Sequence, residues 1–221
     1  MDSEDQNYFV EYPKNQFTMQ DFIGKDFSNR DLSGYYFSGC RFEKTIFWGA
    51  NLKGAGFLKC TLIDVDMQYA DLSGACICAS IISGNLQRAK LNGADCQYVG
   101  MSEVNLNKAQ LLGTFLDNAS LQKINLEDAD LSGAIVTRAN LSGVNLNRAY
   151  LTGTVFDNSD LSNANLRGAN LHGTSMCGAN LFGADFSDAF LYGVIMIGAT
   201  YDKNTIWPGG YFPEQDAALF K

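Results

Sequence analysis

Apolar residues recur at every fifth position along most of this chain. The series begins at Phe17 and runs to Ile82, then resumes at Leu86 after a single four-residue step and continues to Tyr201. It holds 38 positions, and none of them carries a charged side chain. We call these positions the centres of five-residue repeats. Self-similarity at a fixed period predicts a repeat architecture for the body of the chain.

The residue two positions before each centre is patterned as well. Alanine recurs there, as at Ala50, Ala129 and Ala169, and Asp or Asn commonly stands between it and the centre. Glycine closes many repeats, as at Gly54 and Gly133. A small side chain suits a crowded interior, and Gly or Asn suits a turn with unusual backbone angles. The repeat therefore predicts two inward side chains and one turn in every five residues.

A period of five excludes the ordinary regular elements. On an α-helix, five residues advance about 140° beyond a full turn, so the centres would scatter around the cylinder. On a flat strand, an odd step places successive centres on opposite faces. The chain must therefore turn once in each repeat, so that every centre returns to the same interior.

The repeat resembles the pentapeptide-repeat family, whose motif is A(D/N)LXX, over some 187 of the 221 residues. The triplets Ala70-Asp71-Leu72 and Ala164-Asn165-Leu166 match that motif. The resemblance implies an all-β fold, a right-handed quadrilateral β-helix with four repeats in each square coil. The 38 repeats would then make about nine and a half coils, which we expect to occupy residues 15–201.

Caps are expected at both ends, because a solenoid exposes its core and its strand edges there. Residues 202–221 are rich in aromatic and turn-forming residues, and we predict that Trp207, Tyr211 and Phe212 cover the last coil. A short helix is predicted from Pro213 to Phe220. Residues 1–14 are predicted to be a flexible lead or a cover for the first coil.

The chain departs from the motif in two places. The first repeats carry Gln20, Lys25, Arg30 and Tyr35 where a small residue is expected, which predicts a looser or wider opening coil. The four-residue step removes one residue from a corner near Gly84. Two interpretations of that step are open, a tolerated deletion with a local kink or a functional notch.

In this family the residue just before each centre points outward, so such residues stack into four surface columns with a spacing of 20. One column reads Asn85, Asn105, Asn125, Asn145, Asn165 and Asp185. Stacked amides can hydrogen-bond along a column, so a structural role is predicted for it. Two further columns are mainly polar and mixed.

The fourth column is the apolar exception. It reads Tyr36, Gly56, Cys76, Asp95, Phe115, Ile135, Val155, Ser175 and Ile195. Contiguous exposed apolar area often marks an interface, so we predict an interaction face made of Tyr36, Phe115, Ile135, Val155, Ile195 and the neighbouring Ile197. The alternative is that β-branched residues simply suit a strand-like surface.

The charge balance bears on the choice of partner. The formal net charge is −8, and residues 15–201 contribute −4 of it, so direct nucleic-acid binding is not expected. Some proteins of the resembled family present an acidic rod to DNA gyrase and confer quinolone resistance. Basic residues are spread along this chain, so we predict a non-enzymatic scaffold that binds a protein partner. DNA mimicry is the alternative.

Motifs for catalysis are lacking in the sequence. It holds no phosphate-binding loop or nucleophile elbow, no C-x-x-C pair, and a single histidine, His172, which should point outward. We therefore predict no catalytic, cofactor or metal site. Cys40 and Cys60 are expected to be reduced core thiols. Cys76 and Cys78 flank a centre, and a redox or metal role for them is a minor alternative.

Compartment and assembly are weakly indicated. The first six residues are acidic and polar, and no apolar run is long enough for a membrane span. A cytoplasmic protein is expected, with the periplasm or the thylakoid lumen as the alternative for a processed precursor. Besides an unidentified protein partner, a homodimer through an end cap or the apolar face is considered.

Overall fold

The computed structural model describes residues 15–101, 103–211 and 213–221, so the predicted lead at 1–14 and Phe212 lie outside the described residues. The described chain winds into stacked coils, in which residues about 20 apart lie side by side in parallel bridges. Four repeats complete one coil, and about 10 coils form the stack. The predicted all-β solenoid is confirmed.

Pairing is continuous enough to form strands mainly in the first coils, and most later rungs are single bridges. One parallel sheet contains β1 Gln16–Thr18, β2 Tyr36–Ser38 and β4 Gly56–Leu58, and a second contains β3 Arg41–Glu43, β5 Thr61–Asp66 and β6 Ile81–Asn85. At the other end, β7 Thr200–Tyr201 pairs with β8 Leu219–Phe220, and a 3-10 helix spans Pro213–Asp216.

Backbone hydrogen bonds tie each repeat to the coils on both sides. The N–H of Asn51 donates to the carbonyl of Arg30 at 2.9 Å, and the N–H of Leu52 donates to the carbonyl of Asp71 at 2.8 Å. Within the repeat, the N–H of Ala55 closes a four-residue turn on the carbonyl of Leu52 at 3.0 Å. Each repeat thus satisfies its polar backbone while turning the chain toward the next face.

The third residue of such a turn takes a positive φ. Gly54 has φ +62°, as the glycine pattern predicts, but Arg148 has φ +55° at the equivalent place. An L-residue in the left-handed region costs about 1–2 kcal/mol. The inter-coil hydrogen bonds therefore impose the turn even where glycine is absent.

The centres form the core. Every centre from Leu32 to Tyr201 is buried, and the alanines two positions earlier are buried with them. Phenylalanines fill the first coils in columns, with Phe37 stacked between Phe17 at 5.4 Å and Phe57 at 5.1 Å between ring centroids. The predicted inward pair of side chains in each repeat is confirmed.

The first coil departs from this pattern, as the sequence indicated. Gln20, Lys25 and Arg30 are exposed, and Tyr35 is half-buried with its ring stacked against Phe17 at 6.2 Å. Long side chains in these slots therefore lie at the open end of the stack, where the aromatic centres supply the packing.

The predicted asparagine column forms a hydrogen-bonded ladder. The side-chain amide of Asn105 donates to the Oδ1 of Asn85 at 3.2 Å, and that of Asn145 donates to the Oδ1 of Asn125 at 3.0 Å. The Oδ1 of Asn145 also accepts the N–H of Asn147 at 3.2 Å, which braces the adjacent turn. The structural role predicted for this column is confirmed.

The four-residue step is absorbed within one corner. The register between β5 and β6 shifts between Leu62 and Val65, and Gly84 pairs with Val65 at φ +124°. The hydroxyl of Ser83 accepts the N–H of Asp64 at 3.0 Å, which satisfies the donor opposite the missing residue. Regular pairing resumes one residue later, so the local-kink interpretation describes this corner.

The C-terminal residues cover the last coil. The ring of Trp207 stacks on Phe186 at 4.7 Å, meets Tyr201 edge-on at 5.5 Å, and contacts Tyr211 at 5.3 Å. The hydroxyl of Tyr201 donates to the carboxylate of Glu214, which raises the pKa of Tyr201 to about 12. The predicted aromatic lid is confirmed for Trp207 and Tyr211.

The predicted helix from Pro213 to Phe220 is wrong beyond Asp216. The chain makes one 3-10 turn and then runs as β8 along β7, with the N–H of Leu219 donating to the carbonyl of Ala199 at 2.7 Å. The unpaired backbone groups at the edge of the last coil determine the conformation of this segment more strongly than its local helix propensity does. Among the described residues, no helix has the length and apolar character needed to cross a membrane.

Replacing Gly84 by Ala should destabilise the fold, because its Cβ would lie 2.1 Å from the carbonyl oxygen of Val65. Backbone strain and the forced shift should together cost about 3 kcal/mol. Gly133→Ala is the matched control, since its φ is also positive but its Cβ would meet nothing within 4 Å. Thermal unfolding followed by circular dichroism should show a much lower Tm for Gly84→Ala only, and equal Tm values would contradict this account.

Candidate interaction surface

The predicted interaction face is a real column over its C-terminal part. Parallel bridges join Phe115 to Ile135, Ile135 to Val155, Val155 to Ser175, and Ser175 to Ile195. Phe115 is 41% exposed and Ile195 is 46% exposed, while the residues between them are half-buried.

Ile197 follows the next centre and is 64% exposed. We call Phe115, Ile135, Val155, Ile195 and Ile197 the apolar face.

Tyr36 lies apart from the apolar face. Three rungs of the same column, Gly56, Cys76 and Asp95, separate it from Phe115. Its ring lies over Gly56, where an added Cβ would be 2.5 Å from the Cδ2 of Tyr36. Tyr36 therefore covers the backbone of the next coil, and the predicted face is not one continuous strip.

A polar edge borders the apolar face. The side chain of Asp157 accepts the hydroxyl of Ser175 at 2.5 Å and the N–H of Cys177 at 3.0 Å. Two coils earlier, the hydroxyl of Thr137 donates to the carboxylate of Asp117. These groups satisfy one another, so a partner can cover them without breaking their hydrogen bonds.

Four aromatic side chains form a second surface that the sequence analysis did not single out. Tyr150, Phe190 and Tyr192 are 55%, 66% and 80% exposed, and His172 is exposed beside them. The rings of His172 and Tyr192 stack at 5.3 Å with planes 4° apart. We call these four residues the aromatic corner. His172 is outward, as predicted, but it packs on a neighbour.

The aromatic corner lines an open groove of about 520 Å³. Tyr150 and Phe190 occupy the same column, with Asn170 on the rung between them, so the two rings lie two layers, or about 10 Å, apart. Arg148 also lines the groove. A signal was present in the sequence, since Tyr150 and Phe190 stand in slots where the repeat places Asp or Asn.

The aromatic corner and the apolar face adjoin. In each coil, the chain passes through the column of Tyr150 and Phe190 immediately before it reaches the column of Val155 and Ile195. The two surfaces therefore share one edge of the rod. Tyr192 lies on that edge, three residues before Ile195. Together, the aromatic corner and the apolar face form one surface that continues around this edge over the same coils.

The charged side chains of the rod are largely interleaved. The guanidinium of Arg148 pairs with Glu127 at 2.6 Å and with Asp128 at 2.8 Å, and its bond to Asp128 holds the pKa of that carboxyl below its ordinary value. Lys53 pairs with Asp71 at 3.3 Å. The negative charge is therefore broken up along the body.

A half-buried cluster of two thiols and a carboxylate lies next to the apolar face, with Cys76 and Asp95 on the two rungs that precede Phe115 in its column. The Sγ atoms of Cys76 and Cys78 are 2.7 Å apart, and both lie with a carboxylate oxygen of Asp95 inside a 4.8 Å group. Burial, reinforced by the Cys76 thiol and by Asp95, raises the pKa of Cys78 above its ordinary value.

The other cysteines of the first coils are core residues, as predicted. Cys40 and Cys60 are buried and free, and their thiols donate to the carbonyls of Phe17 and Phe37, each at 3.4 Å. Burial raises the pKa of Cys60 to about 11. The Cys60 thiol is therefore held in the protonated form inside the stack.

Solved structures with related coils cover most of this chain. HetL, a pentapeptide repeat protein involved in heterocyst differentiation regulation from the cyanobacterium Nostoc sp. strain PCC 7120, is 27% identical over 90% of this chain and 94% of its own, with a TM-score of 0.44. QnrB1, a plasmid-mediated fluoroquinolone resistance protein, is 20% identical over 85% of this chain and 92% of its own, with a TM-score of 0.51.

Rfr23 from the cyanobacterium Cyanothece 51142 is 32% identical over 51% of this chain and 63% of its own, with a TM-score of 0.37. A comparison with curated protein sequences gave no significant match. The likeness to QnrB1 concerns the fold alone.

The family profile described as "Pentapeptide repeats (8 copies)" matches residues 21–57, 49–84, 85–122, 124–163 and 159–198. These segments cover nearly the whole coiled body and include all of the apolar face and all of the aromatic corner. The chain belongs to the pentapeptide-repeat family.

Proposed function

We propose that this protein is a non-enzymatic scaffold that binds a protein partner through the apolar face and the aromatic corner. One observation carries the proposal. Large apolar side chains occupy two adjoining columns over the same coils, and one of the two remaining columns there is made of Asn and Asp. Large apolar patches with polar borders are typical of protein interfaces.

The backbone presents this surface in a fixed arrangement. The N–H of Ile135 donates to the carbonyl of Thr114 at 3.0 Å, and the N–H of Val136 donates to the carbonyl of Val155 at 2.8 Å. From Phe115 to Ile195 the column rises four layers, or about 19 Å. Because the coils are already ordered, binding would cost little backbone entropy.

The groove supplies a place for an anchoring side chain. The rings of the aromatic corner line it together with Arg148, Asn170 and two small residues, Ala149 and Gly168. An aliphatic or aromatic side chain of a partner could enter between the walls, and such buried anchors dominate the energy of many interfaces. The lining offers contact surface rather than a nucleophile paired with a base, which supports binding and not catalysis.

DNA mimicry, the alternative, has less support. A mimic needs a sustained negative potential along the rod. Here Arg148 lies between carboxylates, and Arg167 reaches Asp188 at 3.4 Å on the same stretch. The likeness to QnrB1 does not extend beyond the fold, so it adds nothing to this alternative.

Replacing Ile135 and Val155 together by Lys should abolish partner capture, because two charges would be buried without partners in the interface. The readout is quantitative mass spectrometry of proteins captured from a lysate of cells that express this chain. We expect the recovery of the partner to fall at least about tenfold.

Thr61→Lys with Ser120→Lys is the matched control for that variant. Both positions are in the slot just before a centre but on a column that belongs to neither the apolar face nor the aromatic corner, and Arg41 already occupies this slot next to Thr61. The control adds the same charge and should capture the same proteins as the wild type. Equal capture by the face variant and the control, with both variants folded, would refute the proposed surface.

The purified protein should leave DNA gyrase supercoiling unchanged at micromolar concentration, since its acidic groups are interleaved with basic ones. The assay compares plasmid supercoiling by gyrase with and without the protein, and QnrB1 is included as a fold-matched comparison. Clear inhibition by this protein would favour DNA mimicry over the scaffold.

A further inference from the structure

We propose that Cys76, Cys78 and Asp95 form a binding site for a thiophilic divalent cation of the Zn²⁺ class. The site is separate from the proposed partner surface, and its test does not depend on that function. No other residue group in the described parts of the chain brings three such ligands together.

The repeat places the three side chains on one patch. Cys76 and Cys78 flank the buried centre Ile77, so both thiols emerge beside the same rung. Asp95 lies directly opposite Cys76 on the next coil, held by the N–H of Ile77 donating to the Asp95 carbonyl at 2.7 Å. The backbone therefore fixes the ligand set without any need for a loop to close.

The distances suit a tetrahedral ion. Zn–S bonds of about 2.3 Å and Zn–O bonds of about 2.0–2.2 Å place ligand atoms of one ion about 3.6–3.8 Å apart. The ligand atoms here lie within 4.8 Å of one another. The two Sγ atoms are 2.7 Å apart, and rotation of the half-buried thiols about their side-chain bonds has to increase this distance by about 1 Å.

The carboxylate is oriented by a neighbour. The Oδ1 of Asp95 accepts the N–H of Gln97 at 3.2 Å, an interaction of the kind that steadies metal ligands. The thiol of Cys78 also lies 3.5 Å from the Asp95 carbonyl oxygen. Binding would replace the thiol protons with sulfur–metal bonds, releasing one proton for each thiol that ligates.

Packing does not explain the two thiols. Cys40 and Cys60 stand in the inward slot and Cys96 is a centre, where a small or apolar side chain is required. Cys76 stands in the outward slot that the motif gives to Asp or Asn, and Cys78 follows a centre, where the repeat sets no requirement. Two neighbouring outward thiols with a carboxylate form a borderline-soft donor set, which favours zinc over magnesium or calcium.

Three protein ligands leave one tetrahedral position open. The open side faces outward, because all three ligands are only half-buried. Asp95 pairs with Phe115 on the next rung, so the ion would lie at the N-terminal limit of the apolar face. Water, or a donor atom from another molecule, would complete the coordination.

The test titrates the full-length, reduced, metal-free protein with Zn²⁺ by calorimetry and with Cd²⁺ by thiolate-to-metal charge-transfer absorption. We expect a single equivalent of each ion to bind, with the absorption of two thiolates. Cys76→Ser with Cys78→Ser should remove the charge-transfer band, and Asp95→Asn should weaken binding by about tenfold or more. The matched control is Cys177→Ser, which removes the third half-buried thiol and should bind as the wild type does.

A second readout needs no variant. Zn²⁺ should protect Cys76 and Cys78 of the wild-type protein from alkylation while Cys177 is modified at its usual rate, as mapped by mass spectrometry. The proposal is overturned if Cd²⁺ produces no charge-transfer band in the wild type, if the double serine variant binds as tightly, or if all three cysteines are alkylated equally with and without Zn²⁺.

Discussion

Every other feature of this protein depends on the return of one apolar side chain to the interior once in five residues. That return requires a turn in each repeat, and the turns are held by hydrogen bonds between neighbouring coils. The bond from Leu52 to Asp71 and the bond from Asn51 to Arg30 are examples. The constraint is strong enough to keep residues such as Arg148 in the left-handed region. It also fixes which side chains face outward, and so determines every surface of the rod.

The period of five in the sequence predicted one turn in each repeat and the buried centres. The four-sided coils and the outward asparagine column were expected from the family resemblance, and the lid over Phe186 was expected from the aromatic and turn-forming residues at 202–221. The C-terminal strand was missed because Leu219 and Phe220 pair with the edge of a finished coil, and local residue preferences carry no information about that edge. Likewise, the shortened corner could be located at Gly84, but its backbone angle and the compensating hydroxyl of Ser83 are properties of the paired coils.

The candidate surface was predicted in part. Considering one column at a time identified the residues from Phe115 to Ile195, but it also included Tyr36. That side chain covers Gly56, and three rungs separate it from Phe115. The same treatment missed the aromatic corner, because its members belong to one column and to the turn that follows it. Two faces of the rod meet at each corner. A surface that continues around a corner therefore contains residues from different positions of the repeat, and it is found only when those positions are considered together. The grouping of Cys76, Cys78 and Asp95 is likewise not evident from a single column, since two of its side chains flank one centre and the third comes from the next coil.

The corner at Gly84 has a consequence for how such a chain can change in length. Because faces are defined by position within a twenty-residue cycle, duplication of a whole coil lengthens the rod and leaves every column intact. Most other insertions or deletions would rotate all downstream residues onto different faces. Loss of the single residue opposite Asp64 is an exception, since the turn absorbs it and the asparagine column continues undisturbed from Asn85. A corner of the solenoid can thus lose one residue during evolution. The residues that follow then still lie on the same faces in the same order.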